Sequence, residues 1–389
     1  MTPPERRASI SLASIFALRM LGLFLVLPVF ALEAARYPGG DDPARVGLAM
    51  GIYGLTQAVL QIPLGIASDR WGRKRVILAG LALFALGSGV AALASSLDGL
   101  ILGRAIQGAG AISAAVTAFL ADVTRDSVRT KAMALVGISI ALMFALSLVC
   151  SPILVAYIGL GGLFWLTTGL ALAGMAMVAW VVPPEPTEHK DAGRGGLRQV
   201  LRHPGLLRLD FGVFALHALQ LAMWMAVPAL LVQAGLPKAQ HWQVYLVALL
   251  GSFLIMGGVL FRLERKGYLR AVFLLSIGLL LLVQLGFWAS AVTTPSLPML
   301  GLGLFVFFLG FNTLEASQPS LASRLAPPHA RGAALGVYNT LQSVGFFAGG
   351  AVGGWLSSRF GPQGLFMACA ALSLLWLLVA WPMQVPKAR

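Results

Sequence analysis

Twelve stretches of mostly apolar residues follow one another along the chain, parted by short polar segments. They fall near residues 10–34, 45–67, 76–95, 99–121, 132–157, 161–182, 207–232, 242–261, 271–291, 297–322, 332–357 and 364–382. A helix needs about 20 apolar residues to cross the hydrocarbon core of a bilayer, and each run meets that length. Several runs contain internal proline, at Pro28, Pro63, Pro152, Pro228 and Pro319. Membrane helices tolerate this because their neighbours re-satisfy the freed backbone groups. The pattern therefore predicts an all-α membrane protein of twelve transmembrane helices.

The longest polar interruption lies between the sixth and seventh runs, where Pro183-Pro184-Glu185-Pro186-Thr187-Glu188-His189-Lys190-Asp191-Ala192-Gly193-Arg194 has no apolar face. Proline, glycine and charge in that density read as a linker. It divides the chain into a six-helix bundle over residues 1–182, a linker over 183–206 and a second bundle over 207–389. The halves read as diverged copies, a frequent design among transporters. Glu264 and Gly267 follow the eighth run at the spacing that Asp69 and Gly72 have after the second. Ser147-x-x-x-Ser151-Pro152 in the fifth run is echoed by Gly345-x-x-x-Gly349-Gly350 in the eleventh. The paired glycines Gly349/Gly353 and Gly350/Gly354 are expected to serve helix packing.

Composition agrees with the pattern. Of 389 residues, 58% are hydrophobic and only 11% charged, with mean hydropathy +0.84. A soluble domain carries about 25% charged residues. The net charge of +14 raises nucleic acid as a partner, but its placement argues against that. With helices drawn through the runs, 22 of the 28 Lys and Arg fall on one side. Arg36, Arg45, Lys238 and Arg359 fall on the other, and Arg19 and Arg104 lie inside helices. Such asymmetry is the positive-inside rule, which puts both termini in the cytoplasm of a bacterial inner membrane, with lipid rather than nucleic acid as neighbour. Arg6-Arg7 ahead of the first run resembles an export signal, but the run is too long and carries Arg19, so it is read as a retained helix. Cys150 and Cys369 lie in apolar runs and are read as small buried residues. Five tryptophans near run ends, Trp165, Trp180, Trp288, Trp355 and Trp381, read as interfacial anchors.

The densest charge in the apolar half of the chain is Gly65-Ile66-Ala67-Ser68-Asp69-Arg70-Trp71-Gly72-Arg73-Lys74-Arg75, between the second and third runs. It resembles the loop signature G-x-L-a-D-R-x-G-R-K-x-x of the major facilitator superfamily, with Gly65, Asp69, Arg70, Gly72, Arg73 and Lys74 on the pattern. The fourth run, Leu100-Ile101-Leu102-Gly103-Arg104-Ala105-Ile106-Gln107-Gly108-Ala109-Gly110-Ala111, is similar to the superfamily's L-x-x-x-R-x-x-Q-G-x-G-A. Leu21-Gly22-x5-Pro28-Val29 resembles a motif of the twelve-helix drug:proton antiporter branch, with Ala31 where that branch has a final proline. The fifth run departs more, since Ser147, Ser151, Val155 and Ala156 replace the glycines of the antiporter signature. Arg19-Met20-Leu21-Gly22, Gly51–Val59 and Arg129–Ala134 look like the YajR-like bacterial transporters.

The resemblance implies two pseudo-symmetric six-helix bundles that alternate access to a central site. It implies a cytoplasmic latch made by Gly65, Asp69, Arg70, Gly72 and Arg73. In it Asp69 faces the start of the eleventh helix, and Arg73 pairs with an acid at the end of the fourth, for which Asp122 is the candidate. It gives Arg104 a part in proton coupling, the alternative being an arginine that snorkels outward. It also places the first, fourth, seventh and tenth helices around the cavity. At 1.5 Å per residue, Arg19 lies about 13 Å, His217 about 16 Å and Glu315 about 12 Å from the cytoplasmic ends. Ionisable groups at such depth are rare and usually functional. Glu315 is thus expected to carry the proton, with Arg19 as charge partner and His217 as a further titratable site. The plainer readings are an inter-helix tie for Glu315 and a structural histidine for His217. Tyr53, Gln57, Gln107, Gln220, Asn312, Asn339 and Gln342 are candidates to line a substrate cavity, and Gln61 is a further polar side chain in the second run.

Motifs of enzymes and metal sites are missing from the sequence, including G-x-S-x-G, H-E-x-x-H, a nucleotide-binding loop and metal-spaced Cys/His sets. The expected activity is proton-coupled efflux of a small amphipathic compound by a monomer that uses the proton gradient and no cofactor or metal. The alternatives are a symporter or uniporter for a polar metabolite, and a membrane sensor or lipid scramblase on the same scaffold.

Overall fold

The computed structural model describes residues 1–185, 197–327 and 330–383. Residues 186–196 of the predicted linker and the C-terminal Lys387 and Arg389 lie outside the described residues, as does the side chain of Glu264. The helices are α1 (Pro3–Phe24), α2 (Leu27–Ala34), α3 (Pro43–Trp71), α4 (Arg73–Ala92), α5 (Leu97–Ala109), α6 (Ser113–Asp122), α7 (Asp126–Trp180), α8 (Leu197–Val200), α9 (Pro204–Gln233), α10 (His241–Ile255), α11 (Phe261–Leu263), α12 (Leu269–Val292), α13 (Leu297–Leu325) and α14 (Arg331–Ala380).

Among the described residues, ten helical stretches are long and apolar enough to cross a membrane. Two of them, Lys131–Trp180 and Arg331–Ala380, run to 50 residues. At 1.5 Å per residue each would measure about 75 Å, far beyond a hydrocarbon core of about 30 Å. Each contains one glycine outside the helical region, Gly159 at φ 65° and Gly361 at φ 69°. The glycine reverses the chain, so each stretch makes two crossings and the described residues make twelve.

The sequence repeat reappears in the backbone. Positive φ among the described residues is confined to Gly39, Gly72, Gly159, Gly235, Gly267 and Gly361. Taken in order, the first three pair with the last three at φ 84°/89°, 96°/92° and 65°/69°, so corresponding connections of the two halves reverse in the same way.

Two predicted helices are broken. The first crossing is α1 then α2, interrupted at Leu25–Val26 just before Pro28. Proline cannot donate a backbone hydrogen bond, so carbonyls one turn earlier need other partners. Ser151 donates its hydroxyl to the Leu25 carbonyl, and Thr167 donates to that of Gly22 at 3.2 Å. Ser151, which stands where the antiporter signature has glycine, thus binds the break in the first crossing. The fourth crossing is likewise split into α5 and α6, with Gly110 ending the first.

The chain forms two compact units, Met1–Asp41 with Ile52–Asp191, and Asp42–Gly51 with Ala192–Arg389. In the first, Leu12, Phe16, Leu81, Ile112, Phe119 and Val178 are part of one apolar core. In the second, α9 is the most enclosed element, with nearly every side chain from Ala215 to Leu231 buried. The glycine ladder of α14 explains how close its neighbours come. A Cβ on Gly349 would lie 2.3 Å from the Ala218 carbonyl oxygen, and one on Gly350 would lie 2.6 Å from that of Gly47. The first turns of α3 therefore belong to this unit. Trp165, Trp180, Trp288, Trp355 and Trp381 are all exposed at the protein surface.

Candidate functional site

Three clusters hold most of the polar residues singled out by the sequence. Two lie in the first unit. The run read as a loop between the second and third crossings is helical almost throughout, since α3 continues to Trp71 and α4 begins at Arg73. Gly72 alone turns the chain, at φ 96°, where a side chain would be strained. The turn sets Arg73 back over the end of α3. Its guanidinium is 4% exposed, with Nε donating to Asp122 Oδ2 at 3.0 Å and Nη1 to Ser68 Oγ at 2.7 Å. Nη1 also pairs with Asp69, whose side chain is half exposed. Gly65 packs against Ala114 of α6, while Arg70 is exposed.

Glu185, assigned by sequence to the linker, is a fourth charged member of this cluster beside Asp69, Arg73 and Asp122. Gly72 occupies the N-cap position of α4 and has no side chain with which to cap the orphan N–H groups of the first turn. The Glu185 carboxylate accepts from two of them, Arg73 N at 2.9 Å and Lys74 N at 2.7 Å. Lys74 Nζ donates to the Val182 carbonyl at 2.7 Å, completing the clasp. A carboxylate at a helix N-terminus is favoured by the helix dipole as well as by its hydrogen bonds. The available signal was a helix start with glycine as its cap, which requires a cap from elsewhere in the chain. Glu185→Ala is expected to cost about 1–2 kcal/mol, the range for a lost N-cap, read as a lower thermal midpoint in detergent. A midpoint unchanged from the wild type would show that water replaces the carboxylate fully.

A second clasp went unread. Glu5 accepts from Arg125 Nε at 2.7 Å and Nη2 at 3.2 Å, joining the start of α1 to the segment before α7. The hydrogen bonds that Arg125 donates to Glu5, with the charge of that carboxylate, hold the pKa of the guanidinium above its ordinary value.

The second cluster is built around Tyr53. Its hydroxyl oxygen accepts from Arg19 Nη2 at 2.7 Å, and Gln57 Oε1 accepts from the same nitrogen at 3.3 Å. The Arg104 guanidinium lies over the Tyr53 ring, 4.9 Å from its centroid. Arg19 in turn lies 5.5 Å from the Phe84 centroid. One phenol thus serves two buried cations, one at its oxygen and one at its π face. Arg104 Nη1 donates to Gln107 Oε1 at 3.0 Å, and Gln107 Nε2 donates to Ser88 Oγ at 2.7 Å. The fourth-run motif explains the approach. A Cβ on Gly108 would sit 2.1 Å from the Tyr53 carbonyl oxygen, so only glycine lets α5 meet α3 here. Both arginines are 1% exposed, so Arg104 points inward. Gln61 is also buried, with Oε1 lacking a hydrogen-bond partner. Tyr53→Phe keeps the ring under Arg104 and removes the nearer of the two acceptors of Arg19 Nη2, leaving Gln57. The expected loss is about 1.5–3 kcal/mol, the range for a hydrogen bond to a charged group, measured by thermal unfolding. A loss below that of an exposed substitution would place the stability in the ring alone.

The third cluster lies in the second unit. His217 projects from the enclosed α9 and is 2% exposed. Its Nδ1 is 2.9 Å from the Val213 carbonyl oxygen, which can only accept, so Nδ1 carries the proton of the neutral ring. Nε2 then accepts from the Gln342 amide at 2.7 Å. Glu315 Oε2 lies 3.4 Å from the same Nε2. Phe346 and Phe311 meet the imidazole edge-on, at 4.9 and 5.9 Å. Three helices, α9, α13 and α14, thus bring His217, Glu315 and Gln342 together. The other candidates stand apart from this trio. Asn312 donates to Ser252 at 3.2 Å, Gln220 is buried with an unpartnered Oε1, and Asn339 is partly buried.

The sequence matches the Major Facilitator Superfamily profile over residues 12–350 and again over 263–389. It is 44% identical to the inner membrane transport protein YajR of Escherichia coli (strain K12), over 99% of this chain and 85% of that protein. It is 27% identical to the multidrug resistance protein MdtH of Proteus mirabilis (strain HI4320), over 87% of this chain and 84% of the relative. Among solved structures, a point mutant of the nucleoside transporter NupG superposes with a TM-score of 0.76, covering 97% of this chain and 99% of that one. At 15% identity this last likeness shows the fold alone.

Proposed function

The chain belongs to the major facilitator superfamily of membrane transporters, and we propose that it exports small amphipathic compounds in exchange for protons. It is a multi-pass membrane transporter rather than an enzyme. The proposal takes the inner membrane as its place, with both termini cytoplasmic as the lysines and arginines suggest. A monomer driven by the proton gradient, with no resident cofactor, suffices for this reading.

The observation that carries the proton coupling is the arrangement at His217. In the neutral ring Nε2 is an acceptor and is engaged by Gln342. A proton added at Nε2 turns it into a donor, so the Gln342 N–H is repelled and Glu315 becomes the favoured partner. Protonation therefore exchanges a partner on α14 for one on α13. Such a swap gives a proton a differential interaction with two arrangements of the same helices, which is what a coupled conformational change requires. The alternative, a structural histidine, would need one fixed partner set.

Efflux of an amphipathic compound is supported by the similarity to MdtH, whose name assigns it to multidrug resistance. The aromatic surroundings of both buried clusters suit such a compound. The Asp69–Arg73–Asp122 cluster acts in this proposal as the cytoplasmic latch, holding α3, α4 and α6 as one piece.

The test uses proteoliposomes with a pH-sensitive dye inside and a panel of amphipathic fluorescent cations as substrates. Antiport predicts that an imposed substrate gradient drives protons the opposite way. Proton movement in the same direction as substrate would establish symport instead. No linked proton movement with any compound, together with lipid exchange between leaflets, would establish the scramblase reading.

A further inference from the structure

A cleft of about 350 Å³ opens on the surface of the first unit, lined by Arg6, Arg7, Ile10 and Ser14 of α1 and by Met177 and Val181 at the end of the sixth crossing. That volume falls in the range of small-molecule sites, roughly 300–1,000 Å³. Along α1 the lining side chains follow at steps of three and four residues from Pro3 to Ser14, so a single face of the helix makes one wall. Met177 and Val181, one turn apart, make the other. The opposite face of α1 is the one that packs, through Leu12 and Phe16.

The position of the cleft is that of lipid headgroups. Trp180, beside Val181, is 82% exposed, as an interfacial aromatic is. In the topology proposed above this is the cytoplasmic end of both helices.

Its charge is positive and unspent. Arg6 and Arg7 are exposed, and neither guanidinium makes a hydrogen bond or ion pair among the described residues. The neighbouring acids are engaged elsewhere. Glu5 caps its own helix and holds Arg125 from the opposite face of α1, and Glu185 accepts from the first amides of α4. Lys74, whose ammonium donates to the Val182 carbonyl, fixes a third positive charge beside the cleft. The N-terminal turn of α1 is closed by its own capping box of Thr2 and Glu5, so the attraction for an anion comes from the two arginine side chains.

A guanidinium matches the oxygens of a phosphate group as a planar fork, and basic pockets between membrane helices suit anionic headgroups. At 1.5 Å per residue, Ser14 lies about 10 Å along α1 from Arg7. Its hydroxyl makes no hydrogen bond among the described residues, whereas that of Ser11 is spent on the Arg7 carbonyl at 2.9 Å. Basic groups at the mouth, a free hydroxyl deeper in and the apolar walls of Ile10, Met177 and Val181 follow the order of phosphate, ester and acyl chain in a phospholipid. A free phosphate ion would use only the first of these. We propose that this cleft binds one anionic phospholipid, with Arg6 and Arg7 on its phosphate, Ser14 on an ester carbonyl and the acyl chains leaving past Ile10 and Met177. The lipid then holds α1 on the face opposite the Glu5–Arg125 clasp. The site depends neither on the direction of transport nor on proton coupling.

The test is native mass spectrometry of the full-length protein in detergent, titrated with phosphatidylglycerol, phosphatidylcholine or inorganic phosphate. One phosphatidylglycerol is expected to stay bound. Arg6→Ala/Arg7→Ala removes no packing and is expected to weaken that binding by about thirtyfold, the effect of two basic side chains facing anionic lipid. Ser14→Phe fills the cleft with both charges kept and is expected to displace the lipid. Arg198→Ala/Arg202→Ala takes the same charge from exposed positions of the second unit and should leave binding as in the wild type. Equal retention of phosphatidylcholine, or an equal loss in the Arg198/Arg202 variant, would reduce the effect to general lipid or charge binding and overturn the site. Wild-type binding in Ser14→Phe would place the lipid elsewhere. Retention of inorganic phosphate with the same dependence on Arg6 and Arg7 would make this a free-anion site and overturn the assignment to lipid.

Discussion

Arg73→Ala is expected to destabilise the protein by about 3–5 kcal/mol, the range for removing one partner of a buried ion pair. The guanidinium is 4% exposed and Asp122 13%, so water replaces little of what the arginine supplied. Three acceptors on two elements lose their donor together: Asp122 and Ser68, which are largely enclosed, and Asp69, which is not. Asp69 is half exposed, and its part is worth about 1 kcal/mol or less because solvent screens it. The measurement is thermal unfolding in detergent. The double variant Arg73→Ala/Asp122→Ala is expected to recover part of the loss, since the stranded carboxylate is then gone. Arg73→Lys should fall between, because an ammonium cannot serve two divergent acceptors as a planar fork does. Equal midpoints for the single and double variants would mean that Asp122 is solvated without Arg73, and would remove the buried pair from the account of this loop.

Glu315→Gln is expected to reduce proton-driven transport to the level of protein-free liposomes while leaving stability within about 1 kcal/mol of the wild type. The small structural effect follows from exposure, since the Glu315 side chain is 38% accessible and its pairing with His217 is screened. The large functional effect follows from chemistry. Glutamine keeps the volume and polarity but neither binds nor releases a proton, so the swap of partners at His217 has no charge to drive it. Substrate counterflow and proton-driven flux, compared in the same liposomes, separate loss of coupling from loss of fold. Wild-type coupling with an unchanged pH profile in Glu315→Gln would remove this residue as the carrier and leave it an inter-helix tie.

The legible parts of the site were those carried by spacing. Arg73 and Asp122 are 49 positions apart, and the spacing of the motif together with the resemblance to the superfamily named Asp122 as the partner of Arg73, the pair found at 3.0 Å. The Arg104–Gln107 contact is a one-turn spacing on one helix and could be read directly. Glu185 could not, because its partners are backbone N–H groups more than 100 residues away, and a backbone donor leaves no mark in side-chain chemistry.

Periodicity, length and charge asymmetry determined the class of this molecule by themselves. About 20 apolar residues span a bilayer however they are arranged, and lysine and arginine resist translocation wherever they occur. The repeat was likewise in the chain, and the three pairs of positive-φ glycines show it in the backbone. What the tertiary structure alone decided is which buried polar groups meet. Beyond the turn on either side of it, a polar side chain within lipid finds its partners on other helices, and that choice depends on rotation and register between helices. A few glycines that admit a backbone carbonyl, such as Gly108 at Tyr53 and Gly349 at Ala218, set both. Their contacts place Arg19 and Arg104 on one tyrosine, and bring Gln342 and Glu315 to the same nitrogen of His217.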